Sequence, residues 1–240
     1  MKNKILWIIT ARSGSKSIIN KNIKELNKLP LIAYKIKTAL SISNQNDVWV
    51  STDSKEYASI SKEFGATVPF LRPDHLSTDS ASSVDVISHC IDHAEKNKLD
   101  YDYIGMLEPT SPFVYFSHLQ NALELLSDNS KADAIVATRE IRPHSFFVQA
   151  DSQYISEVGT RIKNVKNYGR QNFKKEITPS GGFYISKWDS FKSNNGFYSK
   201  NTLSFDLPIE CELEIDEPID WDWAEFLINN KMINFDKLWK

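Results

Sequence analysis

The stretch ILWIITARSGSKSIINKN occupies residues 5–22 and joins a short apolar run to a polar, basic loop. The run from Ile5 to Thr10 predicts a parallel strand covered on both faces, because such strands lack alternating polar residues. In doubly wound α/β sheets, ligands bind beyond the carboxyl ends of the strands, which is where this loop begins. The stretch therefore predicts a buried first strand followed by a ligand-binding loop.

The remaining pattern alternates strands with helices, which is typical of an α/β protein with a doubly wound, mostly parallel, Rossmann-like sheet. Further strands are predicted at residues 48–51, 68–71, 103–107, 134–138 and 182–185, and helices after Pro30 and at residues 57–64, 82–94, 119–126 and 223–227. The polar segment 140–179 lacks helical periodicity and is interpreted as a small β-rich insertion. Residues 1–139 and 180–240 would then form the main domain.

Composition excludes several classes of protein. The 240 residues carry a net charge of −2, whereas a general nucleic-acid binder usually has a basic surplus. Cys90 and Cys211 are far apart in sequence and favour two reduced thiols in a cytoplasmic protein. The first apolar run is short and ends at Arg12, which argues against a signal peptide, and no run approaches the ~20 residues that span a bilayer.

The loop after the first strand has the chemistry of an anion site. Between Arg12 and Lys28 it carries five basic residues and one acid. Small residues allow backbone N–H groups to approach an anion closely, and they are Ser13, Gly14 and Ser15. Lys16 and Lys21 can neutralise phosphates, and Arg12 can donate to two oxygens at once. A solvated basic loop is the alternative, but the position at a strand end favours phosphate binding.

A second charged segment lies near the carboxyl terminus and contains only acids among its charged residues: Glu212, Glu214, Asp216, Glu217, Asp220 and Asp222. Glu214 and Asp216 would point to one side of an extended chain. Phosphate chemistry uses Mg²⁺ held by one or two carboxylates, so this pair is a candidate metal site. The alternative is an acidic helix start, where Glu217 and Asp220 are stabilising in any case.

Three smaller features allow weaker predictions. Arg72 is a candidate contact for a base or sugar, while Ser80 to Ser83 either contact a ligand or cap the next helix. His89 and His93 are four residues apart, but no third ligand accompanies them, so zinc is disfavoured. His144, beside Arg142, is a plausible substrate contact.

Five motifs in order resemble those of the acylneuraminate cytidylyltransferases, the CMP-sialic acid synthetases. They are IITARSGSKSIINKNI (8–23), STDSKEYASISKEFGATVPFLRPDHLSTDSASS (51–83), LEPTSPF (107–113), RQNFKKEITPSGGFYI (170–185) and ELEIDEPIDWDWAE (212–225). The resemblance implies a nucleotidyltransferase that joins CTP and a sugar acid into a CMP-sugar and diphosphate, with Mg²⁺. It also implies a homodimer in which the insertion at 140–179 reaches into the partner subunit.

The resemblance assigns roles position by position. Catalytic roles fall on Arg12, Lys16 and Lys21, and further nucleotide contacts on Ala11, Ser13, Gly14, Ser15, Asn22, Arg72, Ser80 and Ser82. The resemblance places Arg170, Gln171 and Tyr184 on the acceptor side. Glu108, Arg142 and His144 are further acceptor candidates because of their own charge and hydrogen-bonding chemistry. Asp216 with Glu214 would hold Mg²⁺.

The sequence departs from the family pattern at positions that bear on the acceptor. Glu108 stands where the family has Gln, Val114 where it has Arg, and Glu214 where it has Asp; Ser17 and Ile19 replace the usual Gly and Pro. The first two changes make the local charge more negative by two. We therefore expect an acceptor that carries an amine or another hydrogen-bond donor for Glu108.

Two alternatives remain open at this stage. The same CMP transfer could act on a Kdo-like acid or on an alkylphosphonate such as 2-aminoethylphosphonate, since acceptor sites vary within one fold. The chain could also be a catalytically inactive nucleotide-binding dimer, for which Glu214 is the one supporting feature.

Overall fold

The computed structural model describes residues 4–141 and 175–240. Its central sheet has six strands: β1 (Ile5–Thr10), β4 (Val48–Ser51), β5 (Tyr103–Leu107), β6 (Ala134–Glu140), β7 (Ile177–Lys187) and β8 (Thr202–Asp206). A small hairpin contains β2 (Glu25–Leu26) and β3 (Leu29–Pro30). The strand order is β4–β1–β5–β7–β6–β8, and β7 runs antiparallel to both of its neighbours while the other pairs are parallel. The predicted mostly parallel sheet is confirmed.

Helices cover both faces of this sheet, as the doubly wound prediction requires. They are α1 (Leu31–Leu40), α2 (Lys55–Glu63), α3 (Ser83–Lys96), α4 (Phe116–Asp128), α5 (Trp188–Asn194), α6 (Pro218–Asn229) and α7 (Phe235–Leu238). One buried layer joins the sheet to α1, α2 and α4, and a second joins it to α3 and α5. A third cluster packs α6 and α7 against the β2–β3 hairpin and α1.

Some predicted elements are corrected by the structure. Residues 68–71 do not form a regular strand. Within them only Leu71 makes an isolated bridge, to Thr52, and a second bridge, Trp49–Thr67, lies just before them. Pro69 explains the difference, because proline cannot donate a ladder hydrogen bond. Strand β8 was not predicted, β7 begins at Ile177 before the predicted residue 182, and α6 begins at Pro218 before the predicted residue 223.

One edge of the sheet gathers the polar motifs. The carboxyl ends of β1, β4 and β5 meet there, because these strands are parallel neighbours. Strand β7 is antiparallel to β5 with Met106 opposite Tyr184, and continuing that register brings Gly182 beside Glu108. The beginning of β7 therefore completes the edge that the loops after β1, β4 and β5 form.

The predicted insertion at 140–179 begins and ends on paired strands. Strands β6 and β7 pair out to Glu140 opposite Ile177. Residues 142–174 lie outside the described residues, so the domain boundaries and the β-rich character of the insertion stay predictions. Cys90 and Cys211 are both buried free thiols. Among the described helices, none has both the length and the apolar character that a membrane crossing needs.

Candidate active site

The basic loop after β1 is fixed by two anchors. The backbone N–H and the hydroxyl of Ser13 each donate to the carboxylate of Asp53, both at 2.8 Å. The buried Asn22 donates from Nδ2 to the carbonyl oxygen of Arg12 at 3.1 Å. Asp53 lies two residues beyond the end of β4, and no role was assigned to it from the sequence, although its position near a strand end was a usable signal. These bonds hold the loop over the sheet edge.

Two cations of this loop meet one carboxylate. Arg12 Nη1 lies 2.6 Å from Asp79 Oδ1, and Lys16 Nζ lies 2.5 Å from Asp79 Oδ2. These hydrogen bonds hold the pKa of Asp79 below its usual range, with Lys16 the largest cause. All three side chains are substantially exposed, so the cations are reachable from solvent. Asp79 was also missed in the sequence, where it lies among the serines before α3.

Two small cavities share Thr10 and Arg12 at this edge. The first, of about 190 Å³, is lined by Arg12, Ser15, Lys21, Asn22, Glu108 and Thr110 among others. The second, of about 170 Å³, includes Arg12, Arg72, Thr78, Asp79, Ala81 and Ser83. Arg12 therefore stands between a basic compartment and a compartment that contains Arg72.

Arg72 is buried and is held by the end of β4. Its Nε donates to Ser51 Oγ at 3.0 Å and its Nη2 to the Ser51 carbonyl oxygen at 2.5 Å. Ser82 caps α3, since its hydroxyl accepts from the backbone N–H of Asp85 at 3.1 Å. Ser80 pairs with the hydroxyl of Thr78 at 3.2 Å. Ser82 is therefore a helix cap, which was one of the two roles predicted for the segment Ser80 to Ser83. Arg72 lines the second cavity, where its guanidinium is available to a ligand.

Lys21 joins the basic loop to the acidic segment. Its Nζ donates to the carbonyl oxygen of Ile215 at 2.7 Å and to Asp216 Oδ1 at 3.1 Å. The backbone N–H of Ile215 donates in turn to the carbonyl oxygen of Thr110, at 2.7 Å. The acidic segment is therefore threaded between the loop after β1 and the loop after β5. The structure brings together Lys21 and Asp216, as the sequence predicted for one site.

Glu108 and Glu214 approach each other across the start of β7. The N–H of Gly181 donates to Glu214 Oε1. A Cβ added at Gly181 would lie 2.6 Å from Glu108 Oε2 and 2.9 Å from Glu214 Oε1, so both carboxylates pack over bare backbone. Burial raises the pKa of Glu108 to about 7, and Glu214 adds to that rise. The two carboxylates thus sit close enough to repel.

The same cluster contains buried hydroxyls with spare hydrogen-bonding capacity. Ser111 Oγ would be 2.7 Å from a Cβ at Gly181 and therefore faces the same point as the two carboxylates. Within the described part of the chain, neither Ser111 Oγ nor Ser180 Oγ has a hydrogen-bond partner. Buried hydroxyls usually have a partner, so Ser111 Oγ can make a further hydrogen bond beside the two carboxylates.

Glu214 and Asp216 supply carboxylate oxygens, which are the kind of ligand that Mg²⁺ prefers. Glu214 Oε2 lies 3.7 Å from Arg139 Nη2, and Asp216 is 70% exposed beside Lys21. Residues 4–141 and 175–240 contain no group of three or more acidic, histidine or cysteine side chains that could hold a metal alone. Mg²⁺ needs no such cage when phosphate oxygens complete its shell. The repulsion that Glu214 and Asp216 exert on Glu108 marks negative charge that a divalent cation would offset.

Lys35 is a member of this neighbourhood that sequence reasoning missed. It lies on α1, is fully buried, and donates from Nζ to the carbonyl oxygen of Gly182 at 2.7 Å. Burial lowers the pKa of Lys35 to about 7, although Glu108 acts in the opposite direction. The available signal was its helical spacing from Leu31 and Ala39, which puts a lysine on the apolar face of α1.

Of the remaining candidate residues, the structure describes Tyr184, His89 and His93. Tyr184 on β7 packs its ring against Phe197, with centroids 5.6 Å apart, and burial, Glu108 and Glu214 raise its pKa. It lies near the carboxylates and is not among the residues that line the two cavities. The other acceptor candidates lie outside the described residues, and they are Arg142, His144, Arg170 and Gln171. His89 and His93 both pack against Phe70.

Sequence comparison finds relatives over nearly the whole chain. A family profile described as cytidylyltransferase matches residues 6–178. An N-acylneuraminate cytidylyltransferase of Escherichia coli O18:K1:H7 is 33% identical over 225 residues, which are 93% of this chain and 52% of that protein. A CMP-N,N'-diacetyllegionaminic acid synthase of Legionella pneumophila is 31% identical over 94% of this chain and 96% of that protein. The chain thus spans about half of the first relative and nearly all of the second.

Structure comparison adds a likeness of fold. A CMP:2-keto-3-deoxy-manno-octonic acid synthetase complexed with CTP superposes with a TM-score of 0.67, covering 95% of this chain and all of that one, at 16% identity. A 4-diphosphocytidyl-2C-methyl-D-erythritol synthase from Anaerococcus prevotii gives a TM-score of 0.59 at 11% identity. Both agree with the α/β sheet described above.

Proposed function

This chain belongs to the cytidylyltransferase family, and we propose that it transfers CMP from CTP to a sialic-acid-like 2-keto-3-deoxy sugar acid and releases diphosphate. The observation that carries the proposal is the cavity where Arg12, Lys21 and Glu108 meet at the sheet edge. Cations for a triphosphate and an acid for an acceptor line the same small space. Such a juxtaposition suits a reaction in which alignment and cationic stabilisation do most of the work.

The proposed reaction needs no covalent enzyme intermediate. The anomeric hydroxyl oxygen of the acceptor forms a bond to the α-phosphorus, and the bond from that phosphorus to the bridging oxygen breaks, so that diphosphate leaves. The hydroxyl proton passes to solvent or to a neighbouring base. Arg12, Lys16 and Lys21 would offset charge on the phosphate oxygens, and Arg72 would contact the nucleoside from the second cavity.

A magnesium ion would be held by Asp216 and Glu214 together with phosphate oxygens. Bound there, it would screen the charge that develops on the triphosphate. Lys21 supports this arrangement because it orients Asp216 and holds the neighbouring carbonyl oxygen of Ile215. The N–H of Gly181 orients Glu214 in the same way. Side chains and backbone of this chain thus fix both proposed ligands.

We propose that the acceptor carries an amine or another group that donates a hydrogen bond to Glu108. Glu108 lines the cavity, and its carboxylate shares the space over Gly181 with Glu214 and Ser111. Relatives act, according to their names, on N-acylneuraminate, diacetyllegionaminic acid and pseudaminic acid, so the nine-carbon keto-sugar acids are the first class to test.

The test is diphosphate release with CTP and Mg²⁺ against a panel of acceptors. The panel comprises N-acetylneuraminate, legionaminic acid, pseudaminic acid, Kdo and 2-aminoethylphosphonate, with ATP, GTP and UTP replacing CTP as controls. We expect release with CTP and at least one nine-carbon acid, and little with the other nucleotides. Release with Kdo or the phosphonate alone would replace the proposed acceptor class. If no acceptor gives diphosphate release although CTP still binds, the result would favour a catalytically inactive nucleotide-binding protein.

We also propose that the protein is a homodimer. The support is the sequence resemblance, in which the segment 140–179 belongs to the subunit contact. Sedimentation equilibrium of the whole chain gives the test, because a dimer has twice the 27.5 kDa of one chain. A monomer at micromolar concentration would contradict the proposal.

A further inference from the structure

We propose that Lys35 is a positioning residue for the acceptor side of the active site. The inference rests on the function proposed above and adds a residue that neither the motifs nor the cavity linings include. The Lys35 side chain extends from α1 through the buried core to the backbone of β7. We infer that Lys35 keeps the Gly181–Gly182 backbone and Glu108 in their relative positions. Loss of Lys35 should slow CMP transfer and leave CTP binding unchanged.

Lys35 contacts the backbone of β7 directly. Lys35 Nζ donates to the carbonyl oxygen of Gly182 at 2.7 Å, in the interior of the protein. The preceding residue, Gly181, donates its N–H to Glu214. One dipeptide of β7 is therefore held by a buried cation on one side and by a proposed metal ligand on the other. A shift of this dipeptide would move Glu214 with it.

Glu108 lies against the backbone that Lys35 contacts. The β5–β7 register brings Gly182 beside Glu108, and the carboxylates of Glu108 and Glu214 both crowd the bare Cα of Gly181. Without the Lys35 amine, the buried carbonyl oxygen of Gly182 would lose its hydrogen-bond donor, which is costly in the interior. The backbone would then shift to find another partner, and Glu108 would be displaced with it.

Burial of a lysine at position 35 is energetically unfavourable in itself. An ammonium group in an apolar layer pays a desolvation penalty that a methionine of similar length would avoid. Neighbouring positions on the same helix, such as Tyr34 and Ile36, are filled by apolar or aromatic side chains. A lysine at this position is therefore better explained by what it contacts at the sheet edge than by packing.

The experiment is a double-mutant cycle with four variants: K35M, E108Q, K35M/E108Q and the control K37M. Lys37 lies on the same helix but is only partly buried, with its Nζ 4.7 Å from the centre of the Trp239 ring. The readouts are kcat and KM with the best acceptor, the Kd of CTP measured without acceptor, and urea unfolding. We expect K35M to lower kcat by about tenfold or more while the Kd of CTP changes less than about twofold. In the E108Q background the same change should cost less than about threefold, because part of the action of Lys35 passes through Glu108.

Other outcomes would overturn the proposal. An unchanged kcat in K35M, a loss of CTP affinity as large as the loss of kcat, or equal effects of K35M in both backgrounds would each do so. If K35M does not fold alone, a folded K35M/E108Q variant with kcat within about threefold of E108Q supports the link, and a larger loss contradicts it. Diphosphate release by the unaltered protein tests the proposed function separately. Were that release absent, the unfolding cycle and the Kd of CTP would still test the coupling of Lys35 to Glu108.

Discussion

At the scale of single residues, the electrostatics of the site depend on which carboxylate faces which cation. Asp79 pairs with Arg12 and Lys16, and Lys21 pairs with Asp216. Glu108 instead faces Glu214, and its attractive neighbours are Lys35 and Lys21. The cations of the basic loop are therefore paired with carboxylates, whereas the surroundings of Glu108, the proposed acceptor side, keep an excess of acid. Substitutions at these residues should separate nucleotide binding from acceptor choice.

Asp79 should compete with the triphosphate for its cations. Replacing it by asparagine frees Arg12 and Lys16, so we expect D79N to lower the KM for CTP by about threefold, the size expected for exposed ion pairs. Steady-state kinetics at saturating acceptor measure this effect. The matched control is D74N, an exposed aspartate on the same loop, which should leave KM unchanged. A raised KM in D79N would instead indicate that Asp79 helps to hold the nucleotide.

Glu108 should determine which acceptor is preferred. In E108Q we expect the ratio of kcat/KM for an amine-bearing acceptor to that for N-acetylneuraminate to fall by about tenfold, because a charged hydrogen bond is stronger than a neutral one. Competition between the two acceptors in one assay measures the ratio directly. The prediction is contradicted if the unaltered protein already prefers N-acetylneuraminate to every amine-bearing candidate.

At the scale of elements, the strands were largely predictable and their surroundings less so. The apolar runs of β1, β4 and β5 are buried on both faces, and that pattern is visible in the sequence. Strand β8 escaped because TLSFD is short and partly exposed, and its place at the sheet edge follows from pairing with β6. The basic loop and Asp216 could be predicted from strand ends and charge. Lys35 and Asp79 could not be assigned roles, because their partners lie far away in sequence.

The start of α4 should make stability depend on pH. His118 Nδ1 accepts from the backbone N–H of Tyr115 at 3.3 Å, and burial, helped by Lys35, lowers the pKa of His118 to about 4. The unfolded chain, with an ordinary histidine pKa near 6.5, therefore binds a proton first as pH falls. The contribution of His118 is complete above about pH 6.5 and is lost progressively toward pH 4.

The measurement is urea unfolding at pH 7.5 and pH 5. Because His118 is partly exposed, we expect the wild type to lose about 1 kcal/mol more than H118Q between these values. Glutamine at this position can still reach back to the N–H of the cap residue without titrating. H75N alters an exposed imidazole and should follow the wild type. Parallel losses in wild type and H118Q would show that other groups cause the dependence.

At the scale of the whole molecule, the site is assembled from distant segments of one domain. The loop after β1, the loop before α3, the loop after β5, the start of β7 and the segment before α6 all contribute. A ligand that contacts several of these segments binds the folded chain and not the unfolded chain. Its binding energy should therefore appear as stability of the entire fold.

CTP with Mg²⁺ should raise the melting temperature. At about one hundred times its Kd, CTP contributes about 2.7 kcal/mol, which corresponds to about 5–10 °C for a chain of this size. ATP at the same concentration should give a much smaller shift. K21M should lose most of the CTP shift, and K62M, on the exposed side of α2, should retain it. Equal shifts with ATP and CTP in differential scanning calorimetry would contradict recognition of the base.

The contact between Lys21 and the acidic segment also has a meaning for biosynthesis. Lys21 Nζ binds Ile215 and Asp216, which follow it by 194 and 195 residues. A growing polypeptide exposes its amino-terminal half first, so Lys21 leaves the ribosome long before Ile215 and Asp216 are translated. Arg12 and Lys16 can meet Asp79 early, whereas Lys21 lacks its partners for most of the elongation, and this part of the site forms only when the segment before α6 emerges.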